Sequence, residues 1–381
     1  MQSLVTGHED LVHDIAYDHY GRLLATCSSD QHIRVFSRKS STPGVSNNGQ
    51  ESSGWELISS LKAHEQNILS ITFAPPEFGV VIASCSEDQS VRVFVSTNGG
   101  YKFCKMATLS DSAGALQSVE FSPSGMFGLK LACVGNDGVA RVYHAADPAD
   151  LRQWHLAAES AIVSGRGTPG VHGDVGSAFG VRDLQGSFSI AWSPNSTVMI
   201  PLLDENSEAS ETGLNSDGIF ERTVEQFVVS AMSTVVVFRN KFVNRGLERS
   251  GFVRSEVLRG HTDIVRDVAW ASNASTAGKV EHIATACKDG YVRIFRLTPR
   301  LSNTSDADAD ELEYDVSLVS QYDDHRSEVW KVSWNASGSV LSSAGDDGRV
   351  RFWRMAYNGD FVCIGTVTAE QQPAVDEEED V

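Results

Sequence analysis

Histidine, hydroxyl and aspartate side chains recur at a fixed spacing along this chain, and together they are the residue types of a catalytic triad. The first set is His8, Thr26 and Asp30, in which the hydroxyl lies four residues before the carboxylate. The same set returns three times: as His64, Ser84 and Asp88; as His261, Thr285 and Asp289; and as His325, Ser343 and Asp347. Another copy keeps Asp137 but has Ser112 in place of the histidine and Cys133 in place of the hydroxyl. A unique active site does not require such repetition, whereas a structural network that shapes several similar units does. We therefore predict that these residues are structural, because a buried carboxylate needs satisfied hydrogen-bond partners.

Other chemical motifs are missing from the sequence. It has no nucleophile elbow, phosphate-binding loop or C-x-x-C pair, so we predict no catalytic residues, no cofactor and no metal site. The acidic run 305–313 (SDADADELE) lacks the glycine and the distal glutamate of a calcium-binding loop. Four of the six cysteines lie in short apolar runs and are predicted to be buried: Cys27, Cys85, Cys133 and Cys287.

The aspartates belong to a longer repeat that ends in an aromatic residue. Five copies share an Asp, an Arg four residues later and an aromatic six residues later: DQHIRVF (30–36), DQSVRVF (88–94), DGVARVY (137–143), DGYVRIF (289–295) and DGRVRFW (347–353). The aromatic residues, which complete the predicted network, are Phe36, Phe94, Tyr143, Phe295 and Trp353. A sixth copy, MSTVVVF (232–238), has lost the Asp and the Arg. The repeated Arg34, Arg92, Arg141, Arg293 and Arg351 are expected to serve the same units, although they could also line one face for a ligand.

Each copy predicts four antiparallel strands. An apolar run precedes the Asp-Gln or Asp-Gly pair, which is typical of a hairpin turn, and the aromatic ends the next strand. An alternating segment such as ILSITF (68–73) lies upstream, and another such as WELISSL (55–61) lies downstream. Six such units predict an all-β propeller of six four-stranded blades. In the fourth unit the second strand could be 198–203 or 225–231, and the hairpin-like sequence FVVSAMSTVVVF favours the latter.

The ends of the chain indicate how the ring is closed. The sixth unit has its own outer strand at 361–367, and residues 2–6 precede His8 at the place of another outer strand. This N-terminal strand is surplus, which suggests an open ring that three strands from a partner would complete as a seventh blade. The alternative is that residues 2–6 are a frayed terminus and that the six blades close by themselves. If the ring is open, the candidate contacts with the partner blade are Leu4, Val5, Phe361, Val362, Ile364 and Val367.

Composition agrees with one large domain and limits its partners. The chain has 381 residues, 41% of them hydrophobic, and a net charge of −19, which disfavours direct binding to nucleic acids or anionic lipids. No run is long and apolar enough for a membrane span and the first residues lack a secretory pattern, so we expect a soluble intracellular protein. The predicted domain covers residues 1–367, with blade cores at about 11–61, 68–109, 115–157, 188–258, 264–320 and 328–367. Flexible inserts are predicted at about 38–54, 165–177, 204–216 and 299–313, and a disordered acidic tail at 368–381.

Several segments resemble one family of WD-repeat proteins. GHEDLVHDIAYDHYGRLLATCSSDQ, the turn APPEFG, LACVGNDGVARVYHAADPADLRQWHL and HRSEVWKVSWNASGSVLSSAGDDGRVRFWR are together similar to the SEH-type nucleoporins of the nuclear-pore Y complex. The resemblance implies a scaffold subunit at the nuclear envelope that accepts a β-blade in trans from an α-helical scaffold nucleoporin and supports pore assembly and the transport of mRNA and protein. It also implies membership of the coat-like complex at the vacuole or lysosome that regulates TOR signalling. The alternatives are the propeller subunit of the COPII vesicle coat and a closed adaptor such as a ubiquitin-ligase receptor.

Overall fold

Six antiparallel sheets of four strands each form the blades of the protein. The computed structural model describes residues 4–39, 54–97, 102–123, 128–162, 186–201, 219–240, 251–272, 280–301, 312–357 and 359–368. In each sheet the strands are hydrogen-bonded in the order innermost, second, third and outer. The predicted six-bladed propeller is therefore confirmed.

The strands follow the repeat closely. The innermost strands are β1 (Val12–Tyr17), β5 (Ile68–Phe73), β9 (Leu116–Phe121), β13 (Phe188–Trp192), β19 (Val265–Trp270) and β23 (Val329–Trp334). The second strands are β2 (Leu23–Ser28), β6 (Val81–Ser86), β10 (Lys130–Gly135), β16 (Gln226–Ala231), β20 (Glu281–Cys287) and β24 (Val340–Gly345). The third strands are β3 (His32–Arg38), β7 (Val91–Thr97), β11 (Val139–Ala145), β17 (Thr234–Asn240), β21 (Val292–Leu301) and β25 (Arg349–Met355). The outer strands are β4 (Trp55–Lys62), β8 (Lys102–Leu109), β12 (Trp154–Ala161), β18 (Phe252–Leu258), β22 (Leu312–Tyr322) and β26 (Phe361–Thr368).

The turn between the second and third strands has the same backbone shape in the five blades that keep the aspartate. Its second residue has a positive φ: 69° at Gln31 and 66° at Gln89, and between 65° and 85° at the glycines that follow Asp137, Asp289 and Asp347. Glycine adopts this left-handed conformation at little cost. Blade four turns differently: Ala231 pairs directly with Thr234, and the positive φ of 55° falls on Met232, which stands at the position of the aspartate. The hairpin therefore survives the loss of the aspartate.

Blade four contains an additional hairpin. The second strand is β16, as the sequence favoured, and it pairs with both β13 and β17. The other candidate segment forms a strand of its own, β14 (Thr197–Pro201), which pairs with β15 (Ile219–Thr223) in a separate two-stranded sheet. Residues 204–216 of the predicted insert lie outside the described residues.

The predicted insert at 299–313 is too long at both ends. β21 continues to Leu301 and β22 starts at Leu312, and Pro299 pairs with Tyr314 across the two strands. Leu297, Leu312 and Tyr314 are buried in the core shared with blade four, which explains why this hairpin is longer than the others. The described residues of the other inserts are few: 40–53, 165–177 and the tail after Thr368 lie outside them.

The only helical segment among the described residues is a short 3-10 turn, Pro76–Phe78, between β5 and β6. No helix in the described parts of the chain is long and apolar enough to cross a membrane.

Candidate functional site

The repeated histidines, hydroxyls and aspartates lie next to each other within their blades. In blade one, His8 lies 2.7 Å from Asp30 through Nδ1 and 2.8 Å from Thr26 through Nε2. The corresponding distances are 3.0 and 2.8 Å around His64 and 2.9 and 2.8 Å around His325. In each case the histidine bridges the turn aspartate and the second strand, so the three groups hold the loop before a blade against the hairpin inside it.

Two blades arrange this network differently. In blade five, Nε2 of His261 is 2.9 Å from Thr285, while Arg293 forms the ion pair with Asp289 at 2.8 Å. Burial, together with the charge of Arg293, lowers the pKa of His261 to about 4, so this histidine is neutral at physiological pH. In blade three, Ser112 donates to Asp137 at 3.2 Å, and Arg141 pairs with the same carboxylate.

The aromatic residues of the repeat complete each unit. Phe36, Phe94, Tyr143, Phe295 and Trp353 are all buried, and the indole nitrogen of Trp353 donates to Ser343 at 2.9 Å. The repeated arginines also bond within the blades: Arg92 donates to the carbonyl of Ala63 and Arg351 to that of Asp324. These contacts leave the repeated residues engaged with one another rather than directed toward a common cleft.

Apolar side chains join each blade to the next, except at one place. Five buried clusters connect blades one and two, two and three, three and four, four and five, and five and six. Among the described residues no sixth cluster connects blade six to blade one. The ring is therefore open at this seam.

One position of the innermost strand shows the opening on the side of blade one. Its occupants in blades two to six face the preceding blade and are at most 5% exposed: Ile71, Val119, Ile190, Val268 and Val332. The occupant in blade one is Ile15, which is 55% exposed, and Tyr17 at the end of the same strand is 59% exposed. These two apolar side chains have the character of core residues but lack a blade to pack against.

The third strand shows the opening on the side of blade six. In blades one to five, two apolar side chains of this strand face the following blade and are at most 1% exposed. In blade one they are Ile33 and Val35. Their counterparts in blade six, Val350 and Phe352, are only half-buried. Val362, Ile364 and Val367 of the outer strand are also exposed. We call the apolar surface formed by Ile15, Tyr17, Val350, Phe352, Val362 and Val367 the open edge.

One of the sequence predictions for this edge is wrong. Phe361 is buried and packs on Trp334 and His282 at the opposite face of blade six, so it cannot contact a partner at the seam. Residues 4–6 of the predicted N-terminal strand have no strand partner within the described chain, and Gln2 lies outside the described residues. Arg34 nevertheless holds this segment through a 2.8 Å hydrogen bond to the carbonyl of Thr6. Leu4 is half-buried and Val5 is exposed.

The sequence did not reveal a group of charged residues in the central channel. Nζ of Lys331 on β23 lies 3.7 Å from Asp267 on β19 and 3.8 Å from Asp14 on β1, so the lysine spans the seam. These carboxylates, Asp267 first, raise the pKa of Lys331 and keep it charged. Glu120, also in the channel, accepts the backbone N–H of Trp192, and burial raises its pKa to about 8. Asp14, Asp267 and Lys331 could have been noticed in the sequence because they occur at one position of the innermost-strand pattern.

Six four-stranded blades, five of them with an aspartate in the hairpin turn, define a WD-repeat β-propeller. The family model for "WD domain, G-beta repeat" matches residues 1–37, 55–94, 252–296 and 316–354, which hold the three inner strands of blades one, two, five and six and the outer strand of blade four. The blades whose inner strands are unmatched, three and four, lack the histidine or the aspartate of the network.

Curated relatives define the family more narrowly. The chain is 37% identical to nucleoporin SEH1 of Saccharomyces cerevisiae over 406 residues, covering 97% of this chain and all of the yeast protein. It is 33% identical to human nucleoporin SEH1 over 383 residues, covering 98% of this chain and 89% of the human protein. The Schizosaccharomyces pombe protein is 29% identical over 387 residues, with 97% of each chain covered. The chain belongs to the nucleoporin SEH1 family, and as a WD-repeat nucleoporin it is a structural protein and not an enzyme.

Proposed function

We propose that this protein is a scaffold subunit of the nuclear pore that accepts a β-blade from another nucleoporin at its open edge. The observation that carries the proposal is the exposure of Ile15 and Tyr17 opposite the half-buried Val350 and Phe352. In the described structure every other blade buries its equivalents of Ile15, Val350 and Phe352 against a neighbour. An inserted blade would bury both walls of the seam at once, and burial of apolar surface is the main driving force of association.

The N-terminal segment would supply the outer strand of the added blade. Arg34 bonds the carbonyl of Thr6, as Arg92 bonds that of Ala63, and Ala63 directly follows the outer strand of blade one. Residues 4–6 thus occupy the place where a preceding outer strand ends. Three strands from the partner would give them the neighbour on which to pair.

The resemblance and the names of the relatives supply the biological setting of the proposal. The donor is an α-helical scaffold nucleoporin of the Y complex at the nuclear envelope, and the complex supports pore assembly and the transport of mRNA and protein. The same edge would accept a subunit of the TOR-regulating coat-like complex at the vacuole or lysosome. An open ring does not favour a closed adaptor such as a ubiquitin-ligase receptor.

A binding experiment with paired variants tests the proposal. The chain and its scaffold nucleoporin are co-expressed, and the complex is assayed by gel filtration and its dissociation constant measured by calorimetry. Ile15→Asp should abolish the complex because it places a charge inside the inserted core. Leu156→Asp, on an exposed apolar residue of blade three, should leave the complex intact. Both isolated variants should melt as the unaltered chain does.

Removal of residues 1–6 tests the N-terminal strand separately. It should weaken the complex about tenfold, because the inserted blade loses its outer strand, without unfolding the six blades. Blade insertion would be ruled out if Ile15→Asp and Leu156→Asp bound the scaffold nucleoporin equally well, or if the unaltered proteins formed no complex.

A further inference from the structure

Each innermost strand places one polar side chain at the same level of the central channel. The six residues are Asp14, Ser70, Ser118, Ser189, Asp267 and Lys331. Neighbouring members contact each other around the channel: Ser70 donates to Asp14 at 3.0 Å and Ser189 donates to Asp267 at 2.8 Å. A blade inserted at the seam would therefore place its own residue between Lys331 and Asp14.

The channel residue also bonds the backbone of the following blade. Asp14 accepts the N–H of Ile71 at 3.1 Å, and Asp267 accepts that of Val332 at the same distance. Ser118 accepts the N–H of Ile190 at 3.3 Å, so a hydroxyl can fill the role of the carboxylate. In all three cases the amide belongs to the residue that follows the channel position in the next blade.

The seam interrupts this pattern. In blade one the residue after the channel position is Ile15, so its backbone N–H is the one that needs an acceptor. The channel residue of blade six, which precedes blade one in the ring, is Lys331. Lysine has three donors and no acceptor, so it cannot replace an aspartate or serine as partner for a backbone N–H. Asp14 uses Oδ2 for Ser70 and Ile71 and turns Oδ1 toward Lys331 at 3.8 Å. The seam thus offers two donors and one carboxylate oxygen to whatever enters it.

We propose that the inserted blade carries a serine or threonine at this level of its innermost strand, which makes the channel position a specificity determinant for the partner. The inference rests on the proposed function. A hydroxyl has one donor and two acceptor sites. It accepts from Lys331 and from the Ile15 amide while it donates to Oδ1 of Asp14, so all three groups are satisfied by one side chain.

Other side chains fit this position less well. A second lysine or an arginine would face Lys331, and a carboxylate would stand beside Asp14 and near Asp267 with one lysine to balance three negative charges. An apolar residue would leave the Ile15 amide without an acceptor in a newly buried place, which is costly. The next residue of the inserted strand should be apolar, since it corresponds to Ile71 and Val332.

A double-mutant cycle with the full-length scaffold nucleoporin tests the inference. Hydrogen exchange of the complex first identifies the donated strand that becomes protected together with β1 and β23. Lys331→Met should then weaken binding about ten- to a hundredfold, as expected for the loss of a hydrogen bond to a charged group. Replacement of the partner's hydroxyl residue by Ala should weaken binding similarly. The two changes together should weaken binding by less than the product of their separate fold-changes. Lys105→Met, on the exposed face of β8, is the matched control and should bind normally.

The results separate the inference from the proposed function. If the complex forms but the protected strand has no serine or threonine at this level, or if the two changes act independently, the inference is overturned and blade insertion stands. If the unaltered proteins form no complex, both are overturned. The melting temperature of isolated Lys331→Met must equal that of the unaltered chain, and the apolar-edge variant Ile15→Asp shows the loss expected when insertion itself fails.

Discussion

Ile15 and Ile71 occupy the same position in successive innermost strands, yet Ile15 is 55% exposed and Ile71 is 3% exposed. Both follow a polar channel residue and both stand two residues before the aromatic that ends the strand. The difference lies in what precedes them in the ring. Ile71 packs against blade one, whereas Ile15 faces the open seam.

This pair predicts effects of very different size for the same substitution. Ile71→Ala should lower the free energy of unfolding by about 2–4 kcal/mol, because it removes buried methyl groups from the core between blades one and two. Ile15→Ala should change it by less than about 0.5 kcal/mol in the isolated chain. Urea unfolding followed by tryptophan fluorescence measures both. Equal losses would mean that the seam is closed in solution.

The buried histidine network should matter for stability in the blades that contain it. Asp88 accepts from His64 and from Ser90, and although burial opposes it, these hydrogen bonds lower the pKa of Asp88. Asp88→Ala should lower the free energy of unfolding by about 2–4 kcal/mol, since the partners lose a charged acceptor inside the blade. Thermal unfolding provides the measurement, with Asp315→Ala on the exposed face of β22 as control. A variant as stable as the control would show that the network does not stabilise the blade.

The fold was predictable because the repeat is a local signal. The Asp-Gln and Asp-Gly turns, the alternation of β5 and the buried second strands each depend on a few neighbouring residues, and the pattern recurs often enough to exclude chance. Even the ambiguous blade four was resolved by the hairpin around Met232. The histidine networks were recognisable for the same reason.

The errors concern features that depend on distant parts of the chain. A bulge between Phe352 and Trp353 shifts the register of the outer strand, so that Phe361 lies on the face toward blade five instead of the seam. Residues 4–6 have strand-like sequence, but a strand requires a neighbour, and the described chain offers none at that place. The role of Lys331 depends on Asp14, more than 300 residues earlier; the repeat aligns the two residues, but it does not show that they meet across the seam.

Cysteine reactivity should report the packing of the blades. Burial raises the pKa of the Cys133 thiol to about 12 and that of Cys85 well above its usual value, and the thiolate is the reactive form. Cys363 is exposed on the outer strand of blade six. Brief treatment of the native protein with iodoacetamide should therefore modify Cys363 and leave Cys27, Cys85 and Cys133 intact, as mass spectrometry would show. In guanidinium chloride all six should react; rapid labelling of the buried three in buffer would mean that the blades open readily.

Stability should fall as the pH rises toward 8, and Glu281 is one cause. Its carboxyl lies between blades four and five, where it accepts hydrogen bonds from Gln226 at 2.8 Å and from Trp270 at 3.0 Å. Burial outweighs these bonds and raises the pKa of Glu281 to about 8 from the 4.5 of an unperturbed glutamate. Between these two values the unfolded chain has released the proton and the folded chain still holds it. The free energy of unfolding therefore decreases with increasing pH in this interval.

Replacement of Glu281 by glutamine removes this titration while keeping an oxygen for the two donors. Glu281→Gln should be about 1–3 kcal/mol more stable than the unaltered chain at pH 8 and within about 1 kcal/mol of it at pH 5, as measured by urea unfolding at both values. Glu56→Gln, on an exposed residue of β4, should have no effect at either pH. Some pH dependence should remain in Glu281→Gln, because Glu120 has a similarly raised pKa of about 8. A Glu281→Gln variant with the same pH dependence as the unaltered chain would mean that Glu281 is ionised in the folded protein and that its charge is solvated or paired.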